Sequence, residues 1–287
     1  MAYGSPERVA DVPAYYADIR AGRPIRPDLL DDLVDRYRRR GIEDGSPLNA
    51  ITEQTRAALE RELGNVPVFT GMKHWTPRIA DAAERALAGG AHTLVGLVLA
   101  PHYSAMSIAG YRKQLEQAVD GRADVVFIDS WHDDPGFIDV LADRVRGTKA
   151  HVVFTAHSLP ARILHAGDPY KDQLFETSRL VADRAGITDW SFSFQSESDT
   201  GEPWLGPDIL DHLRDLHERG IDDVLLCPVG FVADHLEIRW DLDHEAQEKA
   251  AELGMRLDRI EMPNADRAFV RVLARLARTA LARAPVS

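Results

Sequence analysis

The sequence predicts an α/β protein made of two similar doubly wound, Rossmann-like parallel sheets. Three observations predict it. Short runs rich in Val, Ile and Leu alternate with longer amphipathic stretches, the pattern of βα units whose sheets are covered on both faces. The 287 residues suffice for two medium domains. Histidines and carboxylates gather just past the ends of the apolar runs, where open α/β sheets place their ligands.

Helical stretches near 10–20, 28–40 and 49–63 precede the first apolar run, "VPVF" at 66–69. Helix 77–88 leads to "HTLVGLVLA" (92–100), and helix 104–119 leads to "ADVVFID" (123–129). Helix 134–146 leads to "AHVVFTA" (150–156), helix 171–186 to "WSFSF" (190–194) and helix 207–219 to "DVLLCPV" (223–229). After "RLDRIEM" (256–262), a helix over 265–284 closes the pattern. Three candidate strands precede residue 150 and four follow it, so two similar domains leave the first half one strand short. The expected domains are 1–147, joined by the C-terminal helix 265–287, and 148–264.

The stretch "DHLEIRWDLDHE" (234–245) supports two readings. From His235 to Asp243 polar and apolar residues alternate, with Leu236, Ile238, Trp240 and Leu242 as the apolar set, which is the period of a half-buried strand. Asp234 followed three residues later by Glu237 has the form of a capping box, which starts a helix. The run 223–229 already supplies a strand and "GF" leads out of it, so helix is expected over 234–252. Glu237, Asp241 and Glu245 then form one acidic stripe. Carboxylates stacked this way repel one another unless something cationic passes along them. A helix with apolar residues at both 236/240 and 238/242 is packed on two sides, so the stripe lines an interior channel.

The formal charge of −12 argues against a general nucleic-acid binder and requires any anionic ligand to find a locally basic pocket. The single cysteine, Cys227, excludes an internal disulfide and a self-supplied Cys-ligated iron–sulfur cluster. No apolar run approaches the roughly 20 residues of a membrane span, and no signal segment opens the chain, so a cytoplasmic protein is expected. Neither G-x-G-x-x-G nor G-x-x-x-x-G-K-[ST] follows a strand, so no nucleotide is expected, and H-E-x-x-H does not occur.

The polar residues past the strands are His102 and Tyr103, Trp131 and His132, His157 and Ser158, Gln195 and Glu197, then Asp234, His235 and Glu237. Each has an ordinary reading. His157 alone can be a strand-end histidine on a backbone carbonyl, Glu237 a capping residue and His102 a helix cap. Asp241 and Glu245 can be a solvated face, and "IRAGRPIR" (19–26) a helix end with Arg20 on its last carbonyls and Gly22 beyond it. Convergence of a base and acids from different strand ends favours a shared cleft.

"TAHSLP" (155–160) and "PVGFVADHLEIRWDLDHE" (228–245) resemble the two signature regions of ferrochelatases. "MAYGSP", "YYADIRAGR", "GSPLNAITEQ", "LAPHYS", "SWHDDPGF", "GDPYKDQL", "QSESDTGEPWLGPD" and "MPNADRAFV" follow in the family's order, so the likeness covers nearly the whole chain. The short form, with no C-terminal cluster-binding extension, is most similar to Gram-positive-type enzymes that metallate coproporphyrin III. The resemblance implies insertion of Fe²⁺ into a porphyrin in haem biosynthesis, with coproporphyrin III favoured and protoporphyrin IX second. His157 would accept pyrrole protons and Glu237 would face it, both near the metal, with Asp241 and Glu245 as the proton or metal path. Tyr3 would approach the iron axially from the side opposite His157, and Arg20 and Ser46 would hold propionates. Fe²⁺ is a substrate here, and no iron–sulfur cluster is implied. Transient contact with neighbouring haem-pathway enzymes is a further expectation. The family's acidic helix carries a π-type distortion, and its last helix packs back on the first domain.

The chemistry agrees with these roles. Metal insertion releases two pyrrole protons, and an imidazole suits their removal near neutral pH. A flat macrocycle resists metal entry, so the site should hold it bent, at roughly 1–5 kcal/mol of strain. Arg20, Arg23 and Arg26 offset the repulsion between propionates and an acidic protein. Family members begin with an apolar strand running directly into the "AYG" segment, and Met1 stands where that strand should finish. Either the start lies further upstream or the chain lacks a buried strand, which would open the sheet interior and leave Tyr3 poorly held. Two other functions compete: a related chelatase inserting cobalt or nickel into another tetrapyrrole, which the contexts of Tyr3, Arg20 and Trp204 fit less well, and a non-catalytic porphyrin or haem carrier.

Overall fold

Two parallel sheets organise the computed structural model, which describes residues 1–39, 46–198 and 201–284. Arg40 of the second expected helix, Gly45, Asp199 and Thr200 of the quoted motifs, and residues 285–287 of the closing helix lie outside the described residues. The first half contains α1 (Val12–Ile19), α2 (Pro27–Arg39), α3 (Leu48–Leu63), α4 (Ile79–Ala88), β1 (Thr93–Leu97), α5 (Ile108–Val119), β2 (Asp124–Ile128) and α6 (Pro135–Val145). The second contains β3 (His151–His157), α7 (Arg162–His165), α8 (Tyr170–Ala185), β4 (Trp190–Gln195), α9 (Ile209–Glu218) and β5 (Asp223–Cys227). A π-helix (Ile238–Ala246) then runs into α10 (Gln247–Leu253), followed by β6 (Arg256–Arg259) and α11 (Arg267–Ala282).

The second sheet is all parallel in the order β4-β3-β5-β6. β3 lies between two neighbours and is covered on both faces, so Val152, Val153, Phe154 and Ala156 are fully buried. This is why its sequence is continuously apolar rather than alternating. β5 stops at Cys227, earlier than expected, because Pro228 has no N–H to continue the ladder. β6 likewise covers 256–259 rather than 256–262.

The first sheet pairs β1 with β2, Thr93 opposite Asp124. The expected strand at 66–69 does not form. No described strand runs beside it, and its backbone groups turn to side chains instead. Val68 N–H donates to Glu60 (3.0 Å) and Val68 C=O accepts from Arg56 (3.3 Å). Ladder contacts begin only where Met1–Tyr3 enter between the exit of β1 and residues 71–74. Leu99 N–H donates to Met1 C=O (2.9 Å), Ala2 N–H to Gly71 C=O (3.1 Å) and Lys73 N–H to Ala2 C=O (2.9 Å). Ahead of this wedge lies a cavity of about 340 Å³ lined by Met1, Leu59, Val68, Leu94, Leu97 and Leu115, among others. The Met1 amino group points into the fold and donates to Leu97 C=O (2.5 Å). Burial pushes its pKa down to about 5.

The opened sheet interior is present, but Tyr3 is well held, contrary to expectation. Its carbonyl accepts from His74 N–H (2.9 Å), and its ring lies 4.6 Å from the His74 imidazole. Next to it, Gly4 has φ +87°, and a Cβ there would come within 2.6 Å of Trp75 Cβ, so only glycine fits. Tyr15 fastens the same turn by donating to Gly4 C=O (2.9 Å).

One apolar core spans both halves, joining Leu97, Trp131 and Phe137 to Val152 and Phe154. Helix α11 crosses back to pack on α3, α6, β1 and β2, inserting Phe269 and Leu273 into that core. Its N-cap is Asp266, which accepts from Ala268 N–H (3.1 Å). No described helix is long and apolar enough to cross a membrane.

Candidate active site

His157 is the last residue of β3. The chain after β5 approaches it so closely that a Cβ on Gly230 would lie 2.5 Å from Ala156 Cβ, and Gly230 N–H donates to Thr155 C=O (3.2 Å). The glycine lets the two strand exits converge. The imidazole donates from Nδ1 to Ser158 C=O, which directs Nε2 toward Glu237, 3.7 Å away at Oε1. His157 therefore does bond a backbone carbonyl, as its ordinary reading holds, and faces a carboxylate as well. The side chains of His157 and Glu237 are 30% and 42% exposed, so the pair is open to solvent.

The segment 236–253 is helical, and the strand reading of 235–243 fails. The alternation reflects burial on two sides. Leu236 packs with Val12 and Tyr37, whereas Ile238 and Leu242 pack with Val153 and Leu226 behind the second sheet. The capping box does not form. Asp234 instead accepts from Arg259 (3.1 Å) and Asn264 (2.8 Å), and Arg259 also grips Asp243 (2.7 Å), clamping the back of the helix. Residues 238–246 adopt i→i+5 bonding, a distortion that concentrates at functional sites.

The stripe holds together as expected. Glu237 lies between two imidazoles, His157 and His235, the latter 3.4 Å away. His235 donates from Nδ1 to Ala233 C=O (2.9 Å), leaving Nε2 for the carboxylate. Asp241, 7% exposed, accepts from the Ser196 hydroxyl. Glu245 continues the line toward Asp208, whose pKa is raised by burial first and by the charges of Asp211 and Glu245 in addition. The electrostatics differ along the stripe. Burial alone would lower the His157 pKa, but Glu237, Ser158 C=O and Asp241 outweigh it and bring it up to about 9. Burial alone would raise Glu237, yet the two imidazoles hold it well below the usual carboxylate range. Asp241 is pushed up to about 7 by burial and by Glu237, against the pull of Ser196.

The other predicted residues divide. Tyr3, 39% exposed, lies near enough to Glu237 to feel its charge, and burial of the phenol with the charges of Glu237 and Asp18 pushes its pKa well up. Arg20 wraps its own turn, donating to Arg23 C=O (3.3 Å) and Pro24 C=O (3.0 Å). Its side chain therefore does not rest on the last helical carbonyls. Arg20 is the C-cap, so the chain leaves the helix through Ala21 at φ +51° first and then Gly22 at φ +76°, one residue later than expected for Gly22. Ser46 is buried, and its hydroxyl accepts from Leu48 N–H (3.3 Å). Ser158 and Gln195 are supports, Ser158 donating to Leu205 C=O (2.7 Å) and Gln195 accepting from Thr155 (3.0 Å). Glu197 is exposed. His102 and His132 join a separate cluster, His102 on Thr177 (2.9 Å) and His132 on Glu176 (3.0 Å).

Three features escaped the sequence reading. Ser196 is a partner of Asp241, and it sits at φ +64° just after β4. Tyr15, Tyr16 and Tyr37 surround Glu237 closely enough for its charge to add to the burial that raises each phenol. His74 bonds Asp18 (2.8 Å), which also receives Arg78 (3.0 Å), so one carboxylate ties α1 to the loop beside Tyr3. Of these, only Ser196 carried a signal, its place past a strand.

A family model described as ferrochelatase matches residues 1–281. The chain belongs to the ferrochelatase family. It is thus an enzyme of the lyase class, and the family's activity is insertion of ferrous iron into a porphyrin for haem synthesis. It is similar to a ferrochelatase of Deinococcus radiodurans, 45% identical over 96% of this chain and 92% of that one. It also resembles the coproporphyrin III ferrochelatases of Halalkalibacterium halodurans (42% identical, 98% and 96% covered) and Bacillus subtilis (40%, 96% and 94%). Among solved structures, SirB from Bacillus subtilis with Fe³⁺ shares the fold at a TM-score of 0.61 and 14% identity, covering 80% of this chain and 89% of that one.

Proposed function

We propose that this ferrochelatase-family chain inserts Fe²⁺ into coproporphyrin III in the cleft between the His157–Glu237 pair and Tyr3. The observation that carries the reading is the carboxylate of Glu237 between two imidazoles at the head of a line of acids. A carboxylate flanked by two imidazoles and open to solvent suits a metal in transit whose coordination is completed by the porphyrin nitrogens. The names of the Bacillus subtilis and Halalkalibacterium halodurans relatives support coproporphyrin III over protoporphyrin IX.

With its pKa at about 9, His157 carries a proton at neutral pH for as long as Glu237 stays anionic beside it. A divalent cation arriving at Glu237 cancels that charge, releases the imidazolium proton and frees His157 to take protons from the pyrroles. Asp241, near 7, exchanges protons at working pH and passes them outward toward Glu245. Tyr3 meets the opposite face of the macrocycle. Arg20 and Ser46 hold propionates, Arg20 by exchanging its bonds to Arg23 and Pro24 carbonyls for a carboxylate.

The test is an anaerobic assay with Fe²⁺, offering coproporphyrin III and protoporphyrin IX separately. Faster metallation of coproporphyrin III is expected. Binding of either porphyrin without metallation would replace the enzyme reading with that of a carrier.

A further inference from the structure

The seam behind His157 is built from polar contacts that the reaction itself does not use. Helix α8 and the turn before it belong to the second half, yet they dock on the loops that leave β1 and β2 in the first. Asp168 accepts from the Ser104 hydroxyl (3.0 Å) and Ala105 N–H (2.7 Å). Gln173 accepts from Tyr103 N–H (2.7 Å) and the Ser130 hydroxyl (3.1 Å). Thr177 bonds His102 and donates to His132 C=O (2.8 Å). Tyr170 stands at the centre of this seam. Its hydroxyl donates to the carbonyl of His157 itself (3.0 Å), and its ring meets His102 edge-on at 6.4 Å. Asp168 fixes the start of the helix by accepting from Tyr170 N–H (3.0 Å).

His157 ends its strand, and the peptide that carries its carbonyl is held on one side by Ser158 N–H, which donates to Gln195 C=O (2.7 Å), and at the carbonyl itself by the Tyr170 hydroxyl. On the side-chain side Nδ1 is held by Ser158 C=O, and Nε2 faces Glu237 at 3.7 Å. We infer that Tyr170 is a positioning residue for His157, and that the α8 seam sets where the imidazole stands relative to the half that carries Tyr3. The inference rests on the reading of His157 as the base. A displacement of the base by a fraction of an ångström matters because proton transfer demands hydrogen-bond reach.

Tyr170→Phe keeps the ring against His102 and removes one hydroxyl. Loss of one hydrogen bond to the base's backbone should lower kcat by roughly 3- to 10-fold, with the porphyrin KM and binding affinity unchanged. Ser104→Ala, which cuts the seam at its far end, should lower kcat less, by about twofold, and it serves where Tyr170→Phe is too unstable to assay. His157→Ala is measured in parallel. A dead His157→Ala with wild-type kcat in Tyr170→Phe, or in Ser104→Ala where that variant stands in, overturns the inference and leaves the base reading intact. An active His157→Ala removes both. A purely structural Tyr170 would lower the melting temperature without separating kcat from KM.

Discussion

The two sheets of this molecule are filled to different degrees. The second has four parallel strands, fully buried residues along β3, and His157 at the C-terminal end of that central strand. The first has two described strands, a wedge made of Met1–Tyr3 and a cavity of about 340 Å³ beside it. His157, the proposed base, and the acidic stripe rest on the dense sheet. Tyr3, Arg20 and Ser46, proposed to hold the porphyrin, belong to the sparse half. With the proposed roles, chemistry falls on one sheet and substrate holding on the other, which makes the two separable by mutation. Damage to the second half should strike kcat, whereas damage to the first should strike binding and stability.

The largest effect belongs to the dense half. His157→Ala should reduce metallation by roughly 10²–10⁴-fold while porphyrin still binds, as absorption titration would report. Near-normal turnover would break the division of labour.

The next effect tests the dense half by pH. The folded pKa of His157, about 9, exceeds the ordinary 6.5, so its contribution to stability is present below 6.5 and lost as pH rises through 9. Solvent at the exposed pair screens that contribution. Urea denaturation from pH 5 to 9, with and without Glu237→Gln, tests it. The alkaline-side loss should shrink in the variant, because the carboxylate that raises the imidazole is gone.

Arg20→Ala should weaken porphyrin binding by about 1.5–3 kcal/mol, the scale of a charged hydrogen bond, raising KM more than it lowers kcat. An unchanged affinity with a lowered melting temperature would instead assign Arg20 to its own turn.

The smallest effect compares packing directly. Ala86, which lines the cavity, should accept Leu with a gain of roughly 0.5–2 kcal/mol. The same change at Ala182, fully buried behind the second sheet, should cost about 1–3 kcal/mol. Equal melting shifts of one sign would erase the packing contrast.

The legible parts of this fold were those with local causes. β3 and β5 announced themselves as apolar runs bounded by turns, and the acidic stripe followed from spacing once the preceding strand was assigned. The expected strand at 66–69 failed because strands need neighbours, and apolar character alone does not supply one. Asp234 had the residue type of a cap, but Arg259 and Asn264, 25 and 30 residues later, claimed its oxygens. Ser196 on Asp241 and His74 beside Tyr3 join segments 45 and 71 residues apart, and no local pattern encodes such pairs.

The wide turns of helix 238–246 make the acidic line a matter of register. Each residue advances a regular helix by about 100°, so deletion of one codon between Asp241 and Glu245 would rotate everything downstream by roughly a quarter-turn. Glu237 and Asp241 would stay at the cleft, and Glu245 would swing away from Asp208. The proposed proton path would be shortened from its outer end with no carboxylate removed, so its length is open to change by insertion and deletion as well as by substitution.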